Sequence, residues 1–154
     1  MARLCACLAA TPGQACDQLA AMGAAPSTGT AAPSVAALPA MGLLDDEPGH
    51  AEEPVTAHGL RAVGEVTVHN RAVLLRALAT AGAPAPPDCP DSELLLRCWA
   101  RLGERGIALA EGMFVLVVHD GQDLVLIRDH VGARTLFHAR AGGCWAVSTS
   151  LRAL

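Results

Sequence analysis

The sequence of 154 residues contains no lysine and no tyrosine, and it has only two tryptophans and two phenylalanines. With so few aromatic rings, the core must be built mainly from Val, Leu and Ile. All eleven basic residues are arginines, they form no basic run, and the formal net charge is −4. Because nucleic-acid-binding proteins need a cationic patch, we expect no nucleic-acid partner.

Signatures of metal, disulfide and membrane proteins are also missing. No Cys-x-x-Cys pair occurs and no two histidines have ligand spacing, so no metal site is predicted. Cys98 lies in a helical pattern and Cys144 in a strand pattern, where free cysteine acts as a small apolar residue. This favours reduced thiols over disulfides among the six cysteines, and therefore a cytoplasmic location. The apolar start is too short to span a bilayer, so we expect no membrane partner.

The length fits one domain, residues 1–154. Residues 3–10 read as a strand and residues 14–23 as a short helix. Residues 24–59 have a loop-rich composition with one short strand suggested near Val35–Leu44. Their acidic residues are Asp45, Asp46, Glu47, Glu52 and Glu53.

The pattern becomes regular at Leu60. Residues 60–68 alternate as a half-buried strand. Asn70 is a suitable N-cap and Gly82 a suitable helix stop. The helix between them has an apolar stripe made of Val73, Leu74, Ala77 and Leu78.

The Pro-rich residues 83–90 form a stiff connector. A second helix is predicted from about Asp91 to Leu102, ended by Gly103 and Gly106. Its inward residues are Leu94, Leu95, Cys98 and Trp99. Strands follow near 113–119, 123–128, 135–139 and 144–148, with turns at Asp120-Gly121 and Gly142-Gly143. The predicted order along the chain is strands, two consecutive helices and a strand meander. This order indicates the α+β class.

Within the meander we expect Val115, Val117 and Leu126 to be core residues, and Trp99 to pack the second helix onto it. The remaining aromatic residues, Phe114, Phe137 and Trp145, are also assigned to the core.

The stretch from Glu111 to Leu154 resembles the end of the glutamine amidotransferase domain of asparagine synthetases. That pattern reads roughly G-M-F-A-F, strand, turn, strand, R-D-x-x-G-x-x-P-L-Y-Y and a final strand. Here Arg128-Asp129-His130-Val131-Gly132 supplies the R-D-x-x-G element. Earlier pieces occur in the family's order: Gly64-Glu65, then Asn70-Arg71, then Asp91-Ser92-Glu93. The segment Val66-Thr67-Val68-His69-Asn70-Arg71 leads into the first helix. It most resembles the L-D-N-R sequence of the β-lactam and lasso-peptide macrolactam synthetases, with His69 in place of the usual Asp.

The resemblance implies a class II amidotransferase with an N-terminal-nucleophile (Ntn) hydrolase fold, a layered α/β/β/α sandwich of antiparallel sheets and helices. It also implies that the chain ends where a synthetase domain begins. ATP and Mg²⁺ are then expected only on a partner synthetase, and this chain needs no cofactor. The expected partners are an asparagine-synthetase-like subunit or a second copy, with glutamine as a candidate ligand.

The family's chemistry requires an N-terminal Cys nucleophile, an oxyanion site in an Asn-Gly-Glu motif, an Arg for the glutamine carboxylate and an Asp for its ammonium group. This chain has Ala2 at the nucleophile position and reads Val63-Gly64-Glu65 at the motif. No Arg occurs between Arg3 and Arg61. The resemblance leaves Gly64, Glu65 and Asp91 as candidate substrate-binding residues.

Two alternatives stay open. Processing after Leu4 would expose Cys5 as a nucleophile. For Asp91, a structural role as a first-turn carboxylate favoured by the helix dipole is preferred to ammonium binding, because the other substrate-site residues of the family are missing. Arg128 and Asp129 suit a structural ion pair or a hydrogen-bonded turn.

By resemblance, the surface that would face a synthetase includes Arg128, Asp129, Leu136 and Leu151. The sequence thus predicts a degenerate amidotransferase-like domain in a structural or docking role. An active glutaminase and a free-standing binding module are the alternatives.

Overall fold

The computed structural model describes residues 5–8, 55–120, 123–141, 144–149, 151 and 154, and for 5–8, 141 and 144 it describes the backbone only. The helix predicted at 14–23 and the strand predicted near Val35–Leu44 lie outside these residues. The chain divides into two compact units. One comprises residues 1–54 with 135–154, and the other comprises residues 55–134.

The unit of residues 55–134 contains a four-stranded antiparallel sheet in the order β2-β3-β4-β5. Its strands are β2 (Val55–Ala57), β3 (Leu60–Val68), β4 (Gly112–His119) and β5 (Leu124–Arg128). Strand β2 falls in the segment predicted as loop, and three residues are too few to show a strand period. It forms a tight hairpin with β3 because His58 and Gly59 both adopt positive φ, at 52° and 79°.

Three helices belong to the same unit: α1 (Arg71–Thr80), α2 (Asp91–Leu102) and α3 (Glu104–Ala108). The predicted bounds of α1 and α2 are confirmed, whereas α3 was not predicted. Gly103 ends α2 with φ of 60°, a conformation that favours glycine. Gly106, predicted as a stop, lies inside α3, where a Cβ atom would come within 2.5 Å of the Cys98 carbonyl oxygen.

The hydrophobic core of this unit forms where α1 and α2 meet one face of the sheet. Its fully buried members include Leu74, Leu78, Leu94, Leu95, Cys98, Ala62, Phe114 and Leu116. Each large side chain buried in this way contributes about 1.5–3 kcal/mol. Trp99 is half-buried and packs against this cluster, as predicted.

Strand β4 is buried on both faces. Val115 and Val117 point away from the helices and are completely buried, which confirms their assignment to the core. The same assignment is wrong for Leu126, which is 39% exposed although it lies directly opposite Val117. The reason is position, because β5 is the edge strand of the sheet.

The other unit contains a three-stranded antiparallel sheet in the order β1-β7-β6. Its strands are β1 (Cys5–Leu8), β6 (Phe137–Ala141) and β7 (Cys144–Ser148). Ala141 lies opposite Cys144 at the end of the β6–β7 pair, and the turn predicted at Gly142-Gly143 lies outside the described residues. Trp145 is more exposed than predicted, at 40%. The Arg140 guanidinium lies 5.4 Å from its ring centre, and the His138 ring centre lies 6.0 Å away.

Antiparallel sheets combined with helices confirm the predicted α+β class. Among the described residues the longest helix has 12 residues, and none is long and apolar enough to cross a bilayer.

Candidate functional site

The Val63-Gly64-Glu65 segment lies in the middle of β3, paired with β4. Side chains alternate along a strand, so Val63 and Glu65 share the face that points away from the helices. Val63 is only 2% exposed and lies opposite Val117. Position 63 therefore presents a buried apolar side chain, not a hydrogen-bond donor.

Gly64 has a packing reason to be glycine. A Cβ atom at this position would collide with the Val115 carbonyl oxygen and would lie 2.8 Å from the Leu116 Cα atom. Both are backbone atoms, which cannot move aside as the end of a side chain could. The close approach of β3 and β4 thus accounts for Gly64 without any contact to a substrate.

Glu65 forms an ion pair across the sheet. Its Oε2 lies 2.8 Å from Nη1 of Arg134, and the Glu65 side chain is mostly buried. The Nε atom of Arg134 is buried and has no hydrogen-bond partner among the described residues. The predicted substrate-binding carboxylate is therefore already committed to a neighbouring guanidinium group.

Asp91 occupies the start of α2, near the end of β3. One carboxylate oxygen accepts a hydrogen bond from the Val68 N–H at 2.8 Å, and the other is paired with Arg71. Arg71 also donates to the carbonyl oxygens of Pro87 (2.9 Å) and Cys89 (2.7 Å).

The Asp91 and Arg71 pair therefore joins β3, α1 and the Pro-rich connector. This geometry supplies a structural reason for Asp91, and an ammonium ligand would have to share oxygens that already accept protein donors. Its role in binding glutamine remains a prediction.

Asn70 has a different role from the one predicted. It precedes α1, but its side chain makes no capping hydrogen bond. Instead its amide donates to the Leu109 carbonyl oxygen at 2.8 Å and accepts from the Glu111 N–H at 3.0 Å. The partners lie 39 and 41 residues away, so no local sequence signal could reveal them.

The segment after β5 is a closed hydrogen-bonded turn, as one of the structural interpretations predicts. The Arg128 guanidinium donates to the carbonyl oxygens of Arg134 (2.6 Å) and Gly132 (2.8 Å). The Asp129 carboxylate accepts from the backbone N–H groups of Ala133 (3.0 Å), Phe114 (3.3 Å) and Arg134 (3.4 Å). Asp129 thereby anchors the turn to β4.

Asp129 is only 4% exposed. Burial alone would raise the pKa of its carboxyl group, but the backbone donors, led by Ala133 and Phe114, outweigh that effect and hold the pKa below its usual value. The carboxylate is therefore charged and internally satisfied at neutral pH.

The four predicted interface residues differ in exposure. Arg128 is exposed, Leu151 is 66% exposed, Leu136 is half-buried and Asp129 is buried. The most exposed large apolar residue near the turn is Val131, at 77%. Arg128 and Asp129 hold the turn that presents Val131, and Asp129 itself offers no surface to a partner.

The cysteines whose side chains are described are poor nucleophiles. Cys89 and Cys98 are free and buried. Burial raises the pKa of both thiols, that of Cys98 to about 11, so they stay protonated at neutral pH. Cys5 is the first residue of β1, opposite Ser148. Within the described part of the chain, no three His, Cys, Asp or Glu side chains converge as metal ligands would.

A family model for the glutamine amidotransferase domain matches residues 52–154. The chain belongs to this family. It is also similar to the carboxyethyl-arginine β-lactam-synthase of Streptomyces clavuligerus, with 36% identity over 87 residues. The aligned region covers 56% of this chain but only 16% of that synthase.

The fold is similar to that of the glutamine phosphoribosylpyrophosphate (PRPP) amidotransferase of B. subtilis. The TM-score is 0.63 at 13% identity, and the match covers 98% of this chain and 42% of that one. At this identity the similarity concerns the fold alone. It confirms the Ntn-hydrolase-like fold that the sequence resemblance implies.

Proposed function

We propose that this amidotransferase domain does not hydrolyse glutamine and serves as a structural or docking part of an ATP-dependent, amide-forming synthetase. The observation that carries the proposal is the buried Val63. The family motif places an oxyanion-stabilising Asn there, and loss of one such donor costs about 2.7–4 kcal/mol of transition-state stabilisation.

The neighbouring carboxylates support the same conclusion. Glu65 is paired with Arg134, and Asp91 is paired with Arg71 and bound to the Val68 N–H. Both groups stabilise the fold at positions where an active site would keep polar groups available for substrate.

The similarity to a β-lactam-synthase supports a synthetase as the partner. ATP, Mg²⁺ and the choice of final substrate would then belong to that partner, and the proposed location of this protein is the cytoplasm. The hydrogen-bonded turn after β5 exposes Val131, and in the other unit Leu151 is an exposed apolar side chain. Each is a candidate contact for a partner protein.

The docking role is tested by a pull-down against a purified synthetase subunit of the asparagine-synthetase type. We expect capture by the wild type, with Val131→Glu and Leu151→Glu each reducing it at least tenfold. Leu126→Glu is the matched control, since Leu126 is also an exposed apolar residue but lies on β5. Absence of capture by the wild type, or equal loss in the control, would contradict docking through these residues.

A second candidate is an active glutaminase whose nucleophile is Cys5. It is favoured by the position of Cys5 as the first residue of β1. This candidate requires a mature chain that begins at Cys5, so intact mass spectrometry decides it. A mass corresponding to a start at Met1 or Ala2 would exclude it.

A further inference from the structure

A groove lies on the helical side of the unit of residues 55–134, between α1 and the segment formed by the end of α2 and α3. Its volume is about 450 Å³, within the range of about 300–1,000 Å³ typical of ligand pockets. The residues that matter for recognition are Val73, Ala77, Leu102, Leu109, Arg76 and Arg105.

The floor of the groove is apolar. Val73 is 41% exposed and Leu109 is 43% exposed, while Ala77 and Leu102 are half-buried. Apolar side chains left accessible beside one another are a common feature of interaction surfaces. The groove therefore has room and suitable chemistry for one or two aliphatic side chains.

The rim of the groove is cationic. Arg76 and Arg105 are exposed, and within the described part of the chain neither guanidinium takes part in a hydrogen bond or an ion pair. Arg101 donates to the carbonyl oxygen of Ala81, a residue that lines the groove, at 3.1–3.2 Å. Among the residues that the structure describes, no carboxylate lines the groove, although the chain as a whole has a net charge of −4.

We propose that this groove binds an acidic, leucine-bearing peptide segment of a partner protein. Leucine side chains would fill the floor between Val73 and Leu109, and carboxylates would pair with Arg76 and Arg105. This assignment rests on charge complementarity. The apolar floor suits leucine side chains, and the two arginines, which have no acidic partner within the described residues, suit carboxylates. The groove contains none of the candidate substrate-binding residues Gly64, Glu65 and Asp91, and it does not include the turn that presents Val131.

The probe is a fluorescein-labelled peptide with the sequence of residues 42–53, Gly-Leu-Leu-Asp-Asp-Glu-Pro-Gly-His-Ala-Glu-Glu, which combines two leucines with five acidic residues. Fluorescence anisotropy should show saturable binding to the wild type that weakens as NaCl rises from 50 to 500 mM, because salt screens exposed charges. Arg76→Ala with Arg105→Ala should weaken binding at least tenfold, as should Val73→Ser with Leu109→Ser.

The matched control for the apolar pair is Met113→Ser with Leu126→Ser, two similarly exposed residues outside the groove. It should change the affinity by less than twofold. A peptide with both leucines replaced by serine, and one with all five acids replaced by their amides, should each bind at least tenfold more weakly. Equal binding of the amide peptide would show an apolar groove without charge recognition and would overturn the proposal.

The same titration is repeated on a chain carrying Asp45→Asn, Asp46→Asn and Glu47→Gln, because the chain's own segment could compete with the probe. No binding to either protein overturns the proposal. Concentration-dependent dimerisation of the wild type, abolished by the arginine variants, would instead assign the groove to a second copy. The groove variants should leave synthetase capture unchanged, so failure here is separable from failure of the docking function.

Discussion

The Val63-Gly64-Glu65 segment and the turn after β5 both match motifs of the amidotransferase family. They differ in which residues of the motif this chain retains. The turn keeps its polar side chains, and the structure gives Arg128 and Asp129 partners within the protein. The strand segment keeps Gly64, which the close approach of β4 requires, but has a buried valine in place of the oxyanion donor. Structural features of the family thus persist where the chemical group does not.

The largest effect should come from Gly64→Ala. The added methyl group would collide with the backbone of Val115 and Leu116, so β3 and β4 must separate locally. We expect a loss of about 4 kcal/mol or more in the free energy of unfolding, measured by urea denaturation. Gly82→Ala is the comparison for backbone strain without a collision, because Gly82 has positive φ and open space around its Cα; it should cost only about 1–2 kcal/mol. A Gly64→Ala protein of wild-type stability would mean that the glycine is not required by packing.

Asp129→Ala should have the next largest effect, about 3 kcal/mol, because it leaves buried backbone N–H groups of the turn without an acceptor. Chemical denaturation measures it, and Asp129→Asn should lose less because one acceptor oxygen remains. Asp123→Ala is the control, since Asp123 is exposed and accepts at its backbone carbonyl. If Asp129→Ala were as stable as the control, the turn would not depend on this carboxylate.

Arg71→Ala should cost about 2 kcal/mol, because it removes the partner of Asp91 and two hydrogen bonds to the connector. The partly exposed position keeps the cost below that of Asp129→Ala. Thermal melting measures the effect, with Arg76→Ala as a control that breaks no pair in the described structure. A Tm equal to that of the control would show that the Asp91 pair is not structural.

The smallest effect concerns pH. Because the folded-state pKa of Asp129 is depressed, its stabilisation is present above the unfolded value of about 3.9 and is lost as pH falls through the folded pKa. The Tm of the wild type should therefore fall below pH 4 more steeply than that of Asp129→Asn. Parallel curves for the two proteins would show that this carboxyl group is not perturbed.

The elements of the fold could be predicted where the chain is strongly periodic. The bounds of α1 and α2 and the positions of β3 to β7 follow from periods of 3.6 and 2 and from glycine turns. The assignment of Leu126 to the core is wrong because a strand pattern does not reveal that β5 forms the sheet edge. The assignment of Trp145 is wrong for another reason: β7 is the central strand of its sheet, and the pattern does not reveal that the Trp145 side chain stays 40% exposed there. The three-residue β2 was too short to carry a pattern.

The candidate site could be predicted only in part. The missing oxyanion donor at Val63 is visible in the sequence through the family motif. The ion pairs of Glu65 and Asp91 are not visible in the sequence. Arg134 lies far from Glu65 along the chain, and Arg71 lies 20 residues from Asp91, too far for a contact within one helix. The sequence predicts a cap at Asn70 because Asn is a favoured residue before a helix. It cannot reveal the actual partners, Leu109 and Glu111, which are brought near only by folding.

The most direct test of the central claim is ammonia release from glutamine by the purified protein, measured with a coupled glutamate dehydrogenase assay. The account predicts no release above the blank and no change with Cys5→Ser. Turnover on the order of 1 per second or more, abolished by Cys5→Ser, would contradict it and establish Cys5 as the nucleophile of an active glutaminase.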